Sequence, residues 1–297
     1  MLIHKIKFVF TTISLLVVLN SSADTIELVD DIGRTVILSV PANRIISLAP
    51  HITENLYAAG AGDLIVGVVS YSDYPEQAKQ IPEIGTYNNL NIELILASQP
   101  DLIIAWKEGN QKQQIEQLIS LGLTVYINAP DEIEDIARSI EHFGILTGKE
   151  DRANDTSNKF KQRLRQLRVR YSDKEKISVF YQTWHSPLLT VNDQQFIGRI
   201  MKLCSGKNIF AELSTLTAQV SVESVLARNP RVIITSGMGE ARPDWLDDWK
   251  KWSFLDAVKM DGLFFIPPDI IQRHSPRLLD GAQRICEFLQ QIRDNKT

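Results

Sequence analysis

The residue types that could do chemistry are sparse in this sequence. No G-x-S-x-G nucleophile elbow, Walker A loop, G-x-G-x-x-G fingerprint or H-E-x-x-H zinc motif is present. The histidines are scattered along the chain, at His4, His51, His142, His185 and His274. The sequence therefore gives no positive support for catalysis, and it predicts neither a catalytic residue nor a metal site.

Aromatic residues at the ends of predicted strands are the stronger chemical signal. Tyr71 follows one strand, Tyr87 lies in the next loop, Trp106 directly follows L-I-I-A, and Trp184 follows a later strand. In open α/β sheets, ligands bind outside the carboxyl ends of the strands. Aromatic faces at that edge suit a large, flat or bulky ligand. The pattern favours a binding site over an active site.

Short apolar strands alternate with helices along the chain, which implies parallel sheets covered by helices on both faces. Strands are predicted at 44–48, 64–69, 100–106, 124–127, 177–182, 232–235 and 264–266. Helices are predicted at 53–59 and 91–98, from a cap at Asn110 to Leu121, and from Asp131 onward.

An internal repeat divides the chain into two related halves. Residues 91–105 read N-I-E-L-I-L-A-S-Q-P-D-L-I-I-A, and residues 221–235 read S-V-E-S-V-L-A-R-N-P-R-V-I-I-T. Six of the fifteen aligned positions are identical, and Asn91 and Ser221 are matching N-cap candidates. The repeat predicts two copies of one α/β unit.

The segment between the halves predicts one long helix. From Lys149 to Lys176 there is no proline or glycine, and apolar residues recur at helical spacing. About 26 helical residues would span roughly 39 Å. We therefore expect an N-terminal lobe at 24–146, an inter-lobe helix at 147–176 and a C-terminal lobe at 177–297.

The first 23 residues resemble a cleaved signal peptide. Two lysines precede an apolar run of 12 residues at 8–19, and small residues follow at 21–23. The run is too short to span a bilayer comfortably, although a membrane anchor is the alternative. The chain has 36 acidic and 32 basic residues, which argues against a nucleic-acid partner. We expect an exported protein.

In an exported protein the two cysteines can form a disulfide bond. Cys204 and Cys286 are the only pair, and an oxidising compartment favours a disulfide between them. Two buried free thiols are the alternative.

The repeat also pairs two glutamates, Glu93 and Glu223. Each lies in the first turn of its predicted helix, where a carboxylate interacts favourably with the helix dipole. A second interpretation is that both carboxylates dock on arginines of a partner.

At this point the sequence resembles a known family. V-D-D-I-G-R-T-V and R-I-I-S-L-A-P-H-I-T-E are similar to class III (helical-backbone) periplasmic substrate-binding proteins of ABC importers. More specific segments resemble the vitamin B12 (cobalamin)-binding group of that family: G-V-V-S-Y-S-D-Y-P, N-I-E-L-I-L-A-S-Q-P-D-L-I-I-A-W, C-S-G-K-N-I-F and P-P-D-I-I-Q-R-H-S-P-R-L. The similarity covers about residues 30 to 290.

The resemblance implies two Rossmann-like α/β lobes joined by one long helix, with cobalamin between the lobes as a transported ligand and not a cofactor. It places Tyr71 and Trp106 on the ligand, and Tyr87 where the family usually has Trp, together with Asp269, Ile270, Ile271, Gln272 and Arg273. Trp184 is expected to supply a ligand contact one residue along from the family's Phe. The resemblance also implies that Glu93 and Glu223 dock on the permease, and that Cys204 and Cys286 form the disulfide. Two departures are Thr217, where an aromatic residue is expected, and Thr183-Trp184 in place of Phe-Gly.

The resemblance implies a periplasmic, monomeric binding protein that hands its ligand to an inner-membrane ABC transporter. Within the same fold, haem or a ferric siderophore is the alternative ligand, with His51 or His185 as the residues of interest. A secreted hydrolase or metal-dependent enzyme is a remote alternative, and an adhesive domain is disfavoured by the aromatic residues at the strand ends.

Overall fold

The computed structural model describes residues 25–237, 239 and 241–295. The predicted signal peptide at 1–23 lies outside these residues. Within the described part of the chain, no helix is both long and apolar enough to cross a membrane.

The strands of the N-terminal lobe are β1 (Ile26–Val29), β2 (Thr35–Leu38), β3 (Ile45–Ser47), β4 (Ile65–Val68), β5 (Gly85–Thr86), β6 (Asn89–Leu90), β7 (Leu102–Trp106) and β8 (Val125–Asn128). Four of them form a parallel sheet with the order β4-β3-β7-β8. The helices of this lobe are α1 (Pro50–Ala59), α2 (Ile92–Ala97), α3 (Lys112–Ser120) and α4 (Asp135–Thr147), with 3-10 turns at Gly62–Leu64 and Glu76–Gln80. The hairpins β1-β2 and β5-β6 lie outside the main sheet.

One long helix, α5 (Glu150–Tyr171), leads to the C-terminal lobe. The strands of this lobe are β9 (Ile177–Gln182), β10 (Trp184–His185), β11 (Leu188–Val191), β12 (Gly206–Asn208), β13 (Thr217–Gln219), β14 (Val232–Thr235) and β15 (Leu263–Phe265). Four of them form a parallel sheet with the order β12-β9-β14-β15. The helices are α6 (Phe196–Leu203), α7 (Val222–Arg228), α8 (Asp256–Lys259) and α9 (Leu278–Asp294), with 3-10 turns at Asp244–Lys251 and Pro268–Ile270.

The sequence repeat occupies equivalent places in the two sheets. In each half a short helix, α2 or α7, leads into the third strand of the sheet order, β7 or β14. The predicted caps are confirmed: the Asn91 side chain accepts from the Leu94 N–H, and the Ser221 side chain accepts from the Ser224 N–H. The two halves thus share a capped short helix, the strand that follows it, and the place of that strand in the sheet.

Successive side chains along the central strands β7 and β14 pack into different hydrophobic cores. Ile104 and Ile234 belong to a core that runs through both lobes and includes the buried face of α5, whereas Ile103 and Ile233 face the outer core of each lobe. Because period-2 alternation sends successive side chains to opposite faces, both faces of each sheet are apolar.

The starts or lengths of helices α1, α4 and α5 differ from expectation. Helix α1 begins at Pro50, three residues early, because proline is well suited to the first helical turn. Helix α4 begins at Asp135 and not Asp131, since the Asp135 carboxylate accepts the N–H groups of Asp131 and Glu132 in a separate turn. Helix α5 has 22 residues and not about 26.

Helix α5 ends early because the C-terminal lobe supplies a cap. The hydroxyl of Ser205 donates to the Tyr171 carbonyl oxygen at 2.8 Å and accepts the Lys174 N–H at 3.2 Å. The chain then turns into β9. The disulfide is confirmed, since Cys204 at the end of α6 is bonded to Cys286 in α9.

Candidate ligand-binding site

Three of the predicted aromatic residues lie at the carboxyl edge of the N-terminal sheet. Tyr71 follows β4, Tyr87 lies in the β5-β6 turn, and Trp106 is the last residue of β7. The rings of Tyr87 and Trp106 are 6.1 Å apart. Tyr71 is 74% exposed and Tyr87 is 42% exposed. Apolar rings are thus presented where a ligand can meet them.

Asn110 fixes the segments that carry Tyr87 and Trp106. Its Oδ1 accepts the Trp106 N–H at 2.6 Å, while its Nδ2 donates to the carbonyl oxygens of Leu48 and Tyr87 at 2.9 and 2.7 Å. The prediction that Asn110 caps the next helix is wrong, since α3 begins at Lys112 with Gln111 as its N-cap. The buried amide instead satisfies three separate loop groups.

Tyr71 has an unusual backbone conformation. Its φ of 67° lies in the left-handed region, which costs a non-glycine residue roughly 1–2 kcal/mol. The neighbouring Ser70 N–H donates to the Gly85 carbonyl oxygen, and its hydroxyl donates to Glu83, both at 2.9 Å. Strain held in place this way is common at binding sites.

Trp184 lies apart from this group, in the C-terminal lobe. It begins β10, and its Nε1 donates to the Ser186 carbonyl oxygen at 2.9 Å. Its ring is 5.0 Å from His185, which in turn stacks on Trp245 at 5.1 Å. Thr217 is exposed in β13, which is separated from β10 by β11 in the same sheet.

The segment 269–273 follows β15 and turns toward the N-terminal lobe. Asp269 and Ile270 lie in a 3-10 turn, and Gln272 donates from Nε2 to the Ser236 hydroxyl at 2.7 Å. Ile271 is fully buried in the core. Neither its side chain nor its backbone is therefore exposed to a ligand in this structure.

Arg273 joins the two lobes through charged groups. Its Nη1 donates to Glu54 of α1 at 3.0 Å and to Asp73 at 2.7 Å, and its Nη2 lies 3.0 Å from Asp269. Burial by itself lowers the pKa of Arg273. The hydrogen bonds to Asp73 and Glu54 raise that pKa by more, so that it lies above its ordinary value. Burial raises the pKa of Asp269, and Asp73 adds to that effect.

Glu54 is the centre of this contact, and sequence reasoning missed it. Its carboxylate, 1% exposed, also accepts from Arg277 at 2.6 and 3.0 Å and from the Ser275 hydroxyl at 2.5 Å. These partners lie about 220 residues away along the chain. No local sequence pattern around Glu54 therefore indicates that they meet. A buried carboxylate needs such partners, because charge is costly away from water.

Two histidines meet where the lobes touch. The rings of His51 and His274 are 5.5 Å apart, and His51 packs edge-on against Trp106 at 5.2 Å. Burial is the main reason that both pKa values are lowered, to about 4 for His274. Among the described residues, His51 Nε2, His274 Nδ1 and Trp106 Nε1 have no hydrogen-bond partner.

Two further features, possible metal ligands and a groove beside α5, bear on where a ligand could bind. In the described part of the chain, no three His, Cys, Asp or Glu side chains are grouped to hold a metal ion. A groove of about 1190 Å³ lies beside α5 and the C-terminal lobe, lined by polar and charged residues such as Arg168, Lys202 and Lys207. None of the predicted site residues lines it.

Glu93 and Glu223 are exposed in the first turns of α2 and α7. Hydrogen bonds from its own backbone N–H and from Ser221 lower the pKa of Glu223. The helix-stabilising interpretation is thus supported for Glu223, and it leaves the carboxylate accessible to a partner.

Comparison with known proteins adds an independent line of evidence. A family model described as periplasmic binding protein matches residues 45–270. The vitamin B12-binding protein of Vibrio cholerae serotype O1 is 38% identical over 251 residues, covering 84% of this chain and 90% of that protein.

Solved structures show the same architecture. The periplasmic vitamin B12 binding protein BtuF of Vibrio cholerae matches with a TM-score of 0.78 at 37% identity, over 85% of this chain and 98% of that one. A periplasmic heme-binding protein from Roseiflexus sp. RS-1 matches with a TM-score of 0.71 at 21% identity, over 86% and 100% of the two chains. The predicted fold, two parallel-sheet α/β lobes joined by a long helix, is confirmed.

Proposed function

Because this chain belongs to the periplasmic binding protein family, we propose that it captures vitamin B12 (cobalamin) or a related corrinoid and delivers it to an inner-membrane ABC importer. Members of this family are periplasmic. Cleavage of residues 1–23 as a signal peptide would place this chain there. We expect a monomer, with cobalamin as cargo and not as a cofactor, and no catalytic step.

The observation that carries the proposal is the set of aromatic rings at the carboxyl edge of the N-terminal sheet. Tyr71, Tyr87 and Trp106 offer apolar faces to a bulky ligand, and the segment 269–273 reaches the same region from the other lobe. A corrin ring has wide apolar faces and a rim of amide groups. Rings would contact the faces, while Asp269 and Arg273 would meet the rim.

The lobes are expected to move little when the ligand binds. One helix of 22 residues connects them, and Glu54 and Arg273 tie them together at buried charges. A single stiff helix and a buried ion pair both oppose wide opening. Capture would therefore rely on a largely preformed cleft.

Haem is the second candidate ligand, and His51 is the observation that favours it. Its buried Nε2 has no hydrogen-bond partner among the described residues, its ring packs edge-on against Trp106, and imidazole is a common iron ligand. His185, the other histidine of interest, is exposed and stacks on Trp245.

The decisive experiment is to purify the exported protein and record its visible spectrum, then titrate it by calorimetry with cyanocobalamin and separately with haemin. We expect one-to-one binding of cyanocobalamin with sub-micromolar affinity and a rise in melting temperature. Absence of both heat and thermal shift with cyanocobalamin would overturn the corrinoid proposal.

A further inference from the structure

The charged groups around Arg273 form a cluster with an excess of negative charge. Three carboxylates, from Glu54, Asp73 and Asp269, face the two guanidinium groups of Arg273 and Arg277. The ionised cluster therefore has a net charge of −1. The two candidate ligands differ in this respect, because the corrin rim carries neutral amides whereas haem carries two propionate carboxylates. The sign of the cluster's charge can therefore distinguish one ligand from the other.

The guanidinium of Arg273 is largely used within the protein. Two of its five N–H groups donate to Glu54 and Asp73 through Nη1, and Nη2 lies 3.0 Å from Asp269 in an ion pair. Its side chain is only 12% exposed. The N–H groups that do not bond within the protein can donate to a neutral carbonyl oxygen, but the positive charge is already compensated.

The exposed part of the cluster is its carboxylates. Asp73 is 41% exposed and Asp269 is 28% exposed, whereas Glu54 is 1% exposed. A ligand that approaches this surface meets two acceptors beside a covered cation. An amide can donate to those oxygens and accept from Arg273, whereas a carboxylate meets like charge.

We infer that this cluster, defined by Glu54, Asp73, Asp269, Arg273 and Arg277, selects ligands by charge: it accepts an amide at the ligand's edge and rejects a carboxylate in the same place. This inference rests on the proposed function, since it names the chemistry of the ligand that the same site prefers. It assigns Asp73 and Glu54, which the sequence did not mark, a role in specificity.

The test compares cyanocobalamin with its separated monocarboxylic acids, in which one peripheral amide is hydrolysed. At pH 7 we expect the isomer whose acid faces Arg273 to bind about tenfold more weakly or worse, while isomers with the acid toward solvent bind as cyanocobalamin does. Asp73→Asn should reduce that ratio severalfold, because it removes one negative charge next to Arg273. Since the measured quantity is a ratio of two affinities, general loss of stability does not produce it.

Glu212→Gln is the matched control. Glu212 is 61% exposed and pairs with one arginine, Arg228, at 2.8 Å, which resembles the Asp73 contact with Arg273. Its partner belongs to α7 and not to the cluster, so the ratio should equal that of the wild type. Glu54→Gln provides a second variant within the cluster.

Two results would overturn the inference alone: every monocarboxylic acid binding as tightly as cyanocobalamin, or an unchanged ratio in Asp73→Asn. Tight binding of haemin, with its free propionates, together with no binding of cyanocobalamin would overturn this inference and the proposed function together.

Discussion

At the scale of single residues, Tyr71 combines exposure with backbone strain. A large aromatic side chain that is 74% exposed at φ 67° stabilises neither the core nor a regular element. Its ring is free to contact a ligand, and a truncated contact of this kind costs about 1–3 kcal/mol.

Tyr71→Ala should therefore weaken cyanocobalamin binding by about 1–3 kcal/mol, with the melting temperature nearly unchanged. Calorimetry and thermal melting measure the two effects. Tyr71→Phe, which keeps the ring, is the control and should bind as the wild type does. Equal affinity in Tyr71→Ala would place the ligand elsewhere.

The buried histidines make stability depend on pH. The pKa of His274 falls from 6.5 to about 4 on burial. Between these values the unfolded chain binds a proton that the folded chain does not, so the free energy of unfolding decreases as pH falls from about 6.5 to about 4. His51 acts in the same direction.

Replacing His274 by Phe should flatten this dependence, since the ring contact with Phe196 at 3.8 Å can persist without a titrating group. Urea unfolding at pH 7 and pH 5 gives the two free energies for each protein. We expect the wild type to lose more stability than His274→Phe between them. Identical losses would contradict the assignment.

Residues were predictable from sequence only where their neighbours in the chain define their environment. Trp106 was found because it ends an apolar strand, and Asn91 because it precedes a helix. Glu54 and Asp73 were missed because their partner Arg273 is 219 and 200 residues away. Asn110 was assigned the wrong partner because its bonds reach back to Leu48.

At the scale of elements, periodicity predicted which segments are helices and strands but not where they end. Helix α5 was predicted too long because its cap, Ser205, belongs to another part of the chain. The hydrophobic pattern of α5 also does not indicate which helix packs against it. Helix α4 approaches α5 at Gly144, where an added Cβ would lie 2.3 Å from the Cβ of Ala153.

Gly144→Ala should lower the free energy of unfolding by about 1–3 kcal/mol through overpacking. The better helix propensity of alanine offsets at most about 1 kcal/mol of this. Adding Ala153→Gly to the same protein should restore part of the loss, because it removes the opposing methyl group. Urea unfolding of both proteins measures this, and a fully stable Gly144→Ala would show that the helices can separate without cost.

At the scale of the whole molecule, the two halves present equivalent helices to the outside. Helices α2 and α7 occupy the same place in each half, and each carries an exposed first-turn glutamate, Glu93 or Glu223. Carboxylates at equivalent places on both lobes suit a docking surface that the two lobes share. We propose that these carboxylates bind arginines of the permease.

Glu93→Arg combined with Glu223→Arg should abolish cyanocobalamin uptake by cells in which this chain is the only corrinoid-binding protein. The affinity for cyanocobalamin should be unchanged, because neither side chain contacts the ligand segment, and the loss of helix-dipole interaction costs only about 0.3–1 kcal/mol per site. Glu150→Arg with Asp256→Arg makes the same charge change in the first turns of α5 and α8 and should leave uptake intact. Normal uptake by the Glu93 and Glu223 double variant would limit both residues to stabilising their own helices, whereas loss of uptake in the control as well would point to net charge and not to a docking surface.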